Sequence, residues 1–312
     1  MIKGRESTTS RLVGYLMIVG ATILFGINGT LSRFLFDNGV TPITLVELRM
    51  MIGGVFLLVV LLLGRRKELK IPRRSIGWLF AFGLSFAFGL SLAFVTFTYF
   101  MAISRLPIAV ALVVEFSAPA WMVLGETIWF RHMPSSYVLL ALALTFGGII
   151  LLTGMWRLCL RGLDSVGLLF ALLSILTYIA YLLLGRHVGR DIPTLTTTSF
   201  GALIAGAFWF TVQPPWSIPA NTWTPQHIWL IFLVGTVGMA IPFSLILGAL
   251  QRIDATRVGI ASMLELVAAG VIAYFWLGQY LDGSQIAGCL SVMIGVTILQ
   301  YEKQDVKTAL TN

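Results

Sequence analysis
The feature that most limits this chain is a succession of long apolar runs. Stretches such as Ile52 to Leu63 and Tyr137 to Leu152 hold no charge. They also lack the polar–apolar alternation of a membrane β-strand. A hydrocarbon core of about 30 Å takes roughly 20 such residues as a helix, and a helix satisfies its own backbone groups inside lipid. Runs bounded by Pro, Gly or charge predict helices over 12–34, 43–63, 76–100, 107–130, 135–155, 165–185, 195–213, 227–250, 256–277 and 283–301. The expected fold class is all-α integral membrane, with about ten transmembrane helices. Composition agrees, because 11% of the residues are charged against about a quarter in a soluble domain.

The connections are short, apart from the charged stretch 64–75 and the Pro-rich stretch 213–226. The latter cannot be helix and is expected to be an interfacial loop with Trp anchors. Numbering the loops alternately puts sixteen Lys and Arg on the N-terminal side, from Lys3 and Arg5 through Arg65, Arg131 and Arg252 to Lys307. The other side has three, Arg105, Arg157 and Arg161. By the positive-inside bias both termini are cytoplasmic, and residues 1–11 and 302–312 are short cytoplasmic tails. The first apolar run lacks a small-x-small cleavage site and is expected to be a retained helix in the cell inner (plasma) membrane. The net charge of +8 sits between apolar segments, which argues against nucleic acid. Cys159 and Cys289 form neither a metal-ligand spacing nor a disulfide framework.

A shift of 147 residues lays Tyr99–Gly154 on Ile246–Tyr301 without a gap. It pairs Arg105 with Arg252, Trp129 with Trp276, and the plausible N-caps Ser135 and Asp282. A shift of 153 lays Gly14 on Gly167 and Arg33 on Arg186. The chain thus divides into five-helix repeats over 12–155 and 165–301. An odd number of spans per repeat inverts the second half. That arrangement puts a solute site near the midplane and suits alternating access. Duplication as a mere route to a larger bundle is the plainer alternative.

Several motifs then resemble a family. They are Gly26-Ile-Asn-Gly-Thr30, Glu47-Leu-Arg49, Ala102-Ile-Ser-Arg-Leu-Pro107, Glu115-Phe-Ser-Ala-Pro119, Ala249-Leu-Gln-Arg-Ile-Asp254, Ser262-Met-Leu-Glu265 and Trp276-Leu-Gly-Gln279. Their order and spacing resemble the EamA-type members of the drug/metabolite transporter superfamily across nearly the entire chain. The Arg-x-Pro…Glu-Phe-Ser-Ala-Pro run is most similar to the threonine/homoserine exporter-like branch. The resemblance implies secondary export of small amphipathic metabolites, amino acids or relatives, with multidrug or cationic-compound export as the alternative. It implies a central cavity bounded by helices 1, 3, 4, 6, 8 and 9. Three places depart from the pattern. Leu266 follows the helix-9 Glu where the family has Pro, Arg131-His132 and Gly278-Gln279 replace Gly-Glu, and Glu126 is an extra carboxylate.

Intramembrane charges should face a partner or a wet cavity, since each costs roughly 2.5–3.5 kcal/mol to insert. Glu115 and Glu265 are candidates for binding a substrate ammonium or a coupling proton, or are satisfied structural carboxylates. Pro119 removes the backbone donor for the Glu115 carbonyl, so a kink and hinge are expected there. Glu47 and Arg49 point to different sides of their helix, and Arg49 suits gating or structural use, bonding a carboxylate on another helix or the substrate's own. Glu126 suits a gate, compensated by Arg131 or Arg74. Asn28, Tyr99, Trp121, Tyr178, Tyr181 and Ser262 are candidate cavity residues, with ordinary packing or interface anchoring as the alternative for each. Gly53-Gly54, Gly147-Gly148 and Gly201 to Gly206 suit close helix crossings. His132, His187 and His227 form no zinc pair, and no phosphate loop with Lys is present. Neither an enzyme nor a cofactor is expected, the partners being solute, lipid and the proton as candidate coupling ion. A non-transporting membrane protein is the least favoured reading, and the oligomeric state is open.

Overall fold
The computed structural model describes residues 8–69, 77–106, 108–130, 133–154, 163–188, 192–277 and 282–301. The helices are α1 (Thr8–Asp37), α2 (Pro42–Gly64), α3 (Gly77–Arg105), α4 (Ile108–Glu115), α5 (Ala118–Phe130), α6 (Ser136–Thr153) and α7 (Ser165–Val188). Then follow α8 (Thr194–Val212), α9 (Pro225–Gly235), α10 (Ile241–Leu250), α11 (Ala255–Ser262), α12 (Leu264–Leu277) and α13 (Gly283–Tyr301). Among the described residues, nine spans are long and apolar enough to cross a membrane, with Val110–Trp129, Pro225–Leu250 and Ala255–Ile272 each counted as one. α13 supplies a tenth at 19 residues, or roughly 28 Å of helix.

Helix starts follow short-range chemistry. Thr41 caps α2 through the Thr44 N–H at 3.3 Å, with Pro42 in the first turn. Ser135 caps α6 through the Val138 N–H at 3.3 Å. Its repeat counterpart Asp282 forms a reciprocal box with Gln285: Asp282 Oδ1 accepts from the Gln285 N–H at 2.9 Å, and Gln285 Oε1 accepts from the Asp282 N–H at 3.0 Å. Asp164 precedes α7 and accepts from the Val166 N–H at 2.8 Å and from Arg105 at 3.1 Å. These donors hold its carboxyl below the usual range. The depressed value means its contribution is complete at neutral pH and is lost as pH falls through the folded value. Thermal melts of Asp164→Ala and wild type should therefore differ at neutral pH and converge in acid.

Three apolar runs are not the single helices expected. The run 107–130 is divided at Phe116–Ser117, between α4 and α5. Pro119 cannot donate to the Glu115 carbonyl, and the turn tightens through Ser117 N–H to Val114 at 3.1 Å and Ala120 N–H to Ser117 at 2.9 Å. The run 256–277 is divided at Met263 without any proline. There the Ser262 hydroxyl donates to the Val258 carbonyl at 2.8 Å, a back-bond that competes with the helix ladder. The third interruption is a π-helical turn, Thr236–Ala240, between α9 and α10. The Pro-rich stretch holds two 3-10 turns, Pro215–Ser217 and Ala220–Trp223, with the Trp216 ring exposed. Arg131, His132, Arg157, Arg161, Gly278, Gln279, most of both tails and Cys159 lie outside the described residues.

Crossed contacts lock the halves together. Gly14 of α1 packs on Ile253, and its counterpart Gly167 of α7 packs on Leu106. Gly148 of α6 meets the Gly288 carbonyl and Val292, while Gly295 of α13 meets the Ala141 carbonyl and Thr145. Under the 147-residue shift these are the same contact made twice, the mark of a pseudo-two-fold axis through the bundle. Small residues let the backbones approach where lipid offers no hydrophobic drive. Gly147 faces open space, so Gly148 alone of that pair makes the crossing.

Candidate functional site
The two broken spans meet around a cavity of about 90 Å3, room for a few waters, with α10 just beyond the π turn supplying Phe243 and Ile246. Its wall includes Asn28, Tyr99, Glu115, Tyr178, Tyr181, Ser262 and Glu265 from among the cavity residues expected. Trp121 is a correction: it does not line the cavity and is 55% exposed on the outside of α5. Phe25, Thr96, Phe100 and Phe243 line it and were not singled out by sequence.

The lining repeats itself across the pseudo-two-fold. Shifted by 153, Phe25 and Asn28 fall on Tyr178 and Tyr181. Shifted by 147, Thr96, Tyr99 and Glu115 fall on Phe243, Ile246 and Ser262. Glu115 ends α4 as Ser262 ends α11, so both sit at a helix break. Glu265 lies in the first turn of α12, where the other half carries Ala118. The cavity's carboxylates are thus offset by one helical turn rather than symmetric.

Aromatic rings form much of the wall. Tyr178 and Tyr181 stack at 6.4 Å, and Tyr181 and Phe25 meet Phe243 edge-on at 5.5 and 5.2 Å. Arg49 also lies in this wall, 3% exposed. Its Nη2 donates to Thr96 Oγ1 at 3.0 Å, and its guanidinium lies 4.7 Å from the Phe100 ring centre. Among the described residues, Arg49 Nε and Nη1 have no protein partner, nor has Asn28 Oδ1. Buried polar atoms without partners are uncommon, and in a wet cavity they are available to water or a solute.

Asn28 packs directly on the π turn. A methyl group at Gly238 would come within 2.5 Å of Asn28 Oδ1. Gly238→Ala should therefore turn Asn28 away from the cavity with little change in melting temperature. Solute KM, read in a concentration series, is expected to rise several-fold.

Below the cavity, toward the chain termini, the structure is closed. Pro119 packs on Gly259, and Thr256 Oγ1 donates to Glu126 at 2.8 Å, tying α5 to α11. Arg186 pairs with Asp254 at 2.5 Å, tying α7 to the same point. Arg131 and Arg74, the arginines expected to compensate Glu126, lie outside the described residues; the described partner is the Thr256 hydroxyl.

A model of the EamA-like transporter family matches residues 12–154 and again 165–301. The chain belongs to the EamA-like transporter family. Its two matches account for the two halves, and this EamA-like transporter is a multi-pass membrane protein. The uncharacterised transporter YcbK of Bacillus subtilis (strain 168) is 28% identical over 178 residues, 55% of this chain and 57% of its own length. The threonine/homoserine exporter RhtA of Salmonella typhimurium (strain SL1344) is 24% identical over 202 residues, 63% of this chain and 64% of its own. The chain therefore spans less than two thirds of the length of these two relatives. The uncharacterised transporter YwfM of Bacillus subtilis (strain 168) is matched over 96% of its length at 22% identity. A solved crystal structure has the same fold, with a TM-score of 0.74 at 19% identity over 95% of this chain and 99% of its own.

Proposed function
We propose that this EamA-like transporter exports small amphipathic metabolites, amino acids or close relatives, by alternating access of its two halves. The observation that carries the reading is the joint lining of one midplane cavity by Glu115, Glu265 and Arg49 within an aromatic wall. A carboxylate receives an ammonium, a guanidinium with two unpartnered N–H groups receives a carboxylate, and the rings accept an apolar side chain. The threonine/homoserine exporter named among the relatives points to the same solute class.

In this reading Pro119 and the break beside it act as the hinge. Glu126 with Thr256, and Arg186 with Asp254, latch the face that carries the termini. The positive-inside bias makes that face cytoplasmic in the plasma membrane, so the structure is closed to the cytoplasm.

A cation exporter is the second reading, favoured by the two carboxylates among aromatic rings. Counterflow separates the two. Proteoliposomes preloaded with a mixed amino-acid pool should take up labelled threonine or another labelled amino acid saturably, and a cationic drug should compete weakly. Strong exchange of the cation with no amino-acid exchange would favour the second reading. Silence with both would sink the transport proposal.

A further inference from the structure
Glu47 lies outside the cavity. It is fully buried on α2, and among the described residues neither carboxyl oxygen has a hydrogen-bond partner. The contacts of its stripe show where it faces. One turn earlier, Thr44 accepts from Gln213 Nε2 at 2.9 Å. One turn later, Met51 packs on Gly206, and beyond it Gly54 packs on Leu203. This antiparallel register sets Glu47 level with Phe210 of α8, next to Trp209, whose buried indole N–H is also without a partner among the described residues. Arg49 is turned roughly 160° away, toward the cavity. Because α2 belongs to the first half and α8 to the second, Glu47 stands on a seam between the halves.

Among the described residues, the elements packed on α2 offer it no compensating charge. Neither α8, the π turn nor α10 has a titratable residue. On α3 the titratable groups are Tyr99, in the cavity wall, and Arg105 at the helix end, paired with Asp164. On α9 there is only His227, whose Nδ1 engages the Asn221 carbonyl at 2.8 Å. The 3-10 turn Arg66–Leu69 holds Arg66, Lys67 and Glu68 at the opposite end of α2. An ionised carboxylate without partner or cation is costly in such a place, and a neutral acid far less so. Part of a route for the proton lies at that end of α2, with no hydrogen bond joining Thr44 to the Glu47 carboxyl in this conformation. The Thr41 and Thr44 hydroxyls are 2.9 Å apart, and Thr41 is exposed at the face opposite the termini. With Glu47 they form an i, i+3, i+6 series leading inward from that face.

We propose that Glu47 is a proton-binding site on the α2–α8 seam, separate from the solute cavity, filled through Thr41 and Thr44 when the seam is closed. Parting α2 from α8 wets the carboxyl and releases the proton, so the proton's occupancy biases the same rearrangement that moves solute. The coupling rests on the transport reading above; the proton site itself does not.

Infrared difference spectra of the full chain in lipid, between acid and alkaline pH, test the site without any solute. A protonated-carboxyl band present at neutral pH should be lost in Glu47→Gln and kept in Glu115→Gln. Glu47→Asp should keep it at a shifted frequency, which serves if the Gln variant does not fold. An unchanged band in Glu47→Gln or an unshifted one in Glu47→Asp overturns the proposal. In proteoliposomes, Glu47→Gln should keep threonine counterflow at equal pH within about twofold and lose at least about tenfold of the accumulation driven by a pH gradient. Equal loss of both in a folded variant overturns the separation of the two sites. Wild type silent in counterflow with every amino acid and with the cationic drug would defeat the transport reading, and the infrared result would still decide the proton site.

Discussion
Glu115→Gln is expected to lower amino-acid counterflow by about tenfold or more while the protein stays folded and monodisperse. The substitution preserves size and hydrogen-bonding shape and removes only the negative charge. Glu115 lines the cavity at the end of α4. A hydrogen bond to a charged group contributes about 1.5–3 kcal/mol, which corresponds to roughly a 10- to 150-fold effect on solute binding. Glu265→Gln is expected to act in the same direction. Its carboxyl comes from the other half and has no symmetry mate, so the two variants test different sides of one site. Initial exchange rates at subsaturating solute measure both. Normal rates in both folded variants would move the solute elsewhere in the bundle.

Gly288→Leu should have the largest effect on the fold. A Cβ at Gly288 would stand 2.6 Å from the Gly148 carbonyl and 2.6 Å from the Leu152 amide nitrogen. Both obstacles are backbone, so no rotamer change relieves them, and α13 must move off α6. Overpacking costs about 1–3 kcal/mol where side chains can yield, and a backbone clash belongs at or above the top of that range. Fluorescence-detected size exclusion should show loss of the monodisperse peak, and Gly147→Leu, facing open space, serves as the control that keeps it. A Gly288→Leu peak indistinguishable from wild type would contradict the close crossing.

Much of this was legible in the residues, for identifiable reasons. Apolar runs report spans because lipid tolerates little else, and the caps Ser135 and Asp282 were readable because a side-chain oxygen followed by a helix start has one local use. The break at Glu115 was legible from Pro119. The break at Met263 was not, because Leu266 carries no such signal and the Ser262 back-bond depends on a rotamer. The π turn at Thr236–Ala240 leaves hydropathy untouched, and its one local signal is Pro242, which cannot donate to the Gly238 carbonyl. Trp121 was misplaced because lipid and cavity both accept an aromatic ring, and its helix offers no polar stripe to tell them apart. Thr96 was overlooked for the opposite reason: its role appears only once Arg49 reaches it from α2. Glu47 and Arg49 were seen to face apart, but what each faces is a property of the packed helices.

The central claim is that the cavity between the halves is where solute sits. Ser262→Cys, in a chain with Cys159→Ser and Cys289→Ser, puts a single thiol in the cavity wall at the symmetry position of Glu115. The measurement is its rate of modification by a membrane-impermeant maleimide in proteoliposomes, with and without the amino-acid pool. The account predicts a thiol that reacts and is protected by the pool. Reaction at the same rate with and without it would contradict the account.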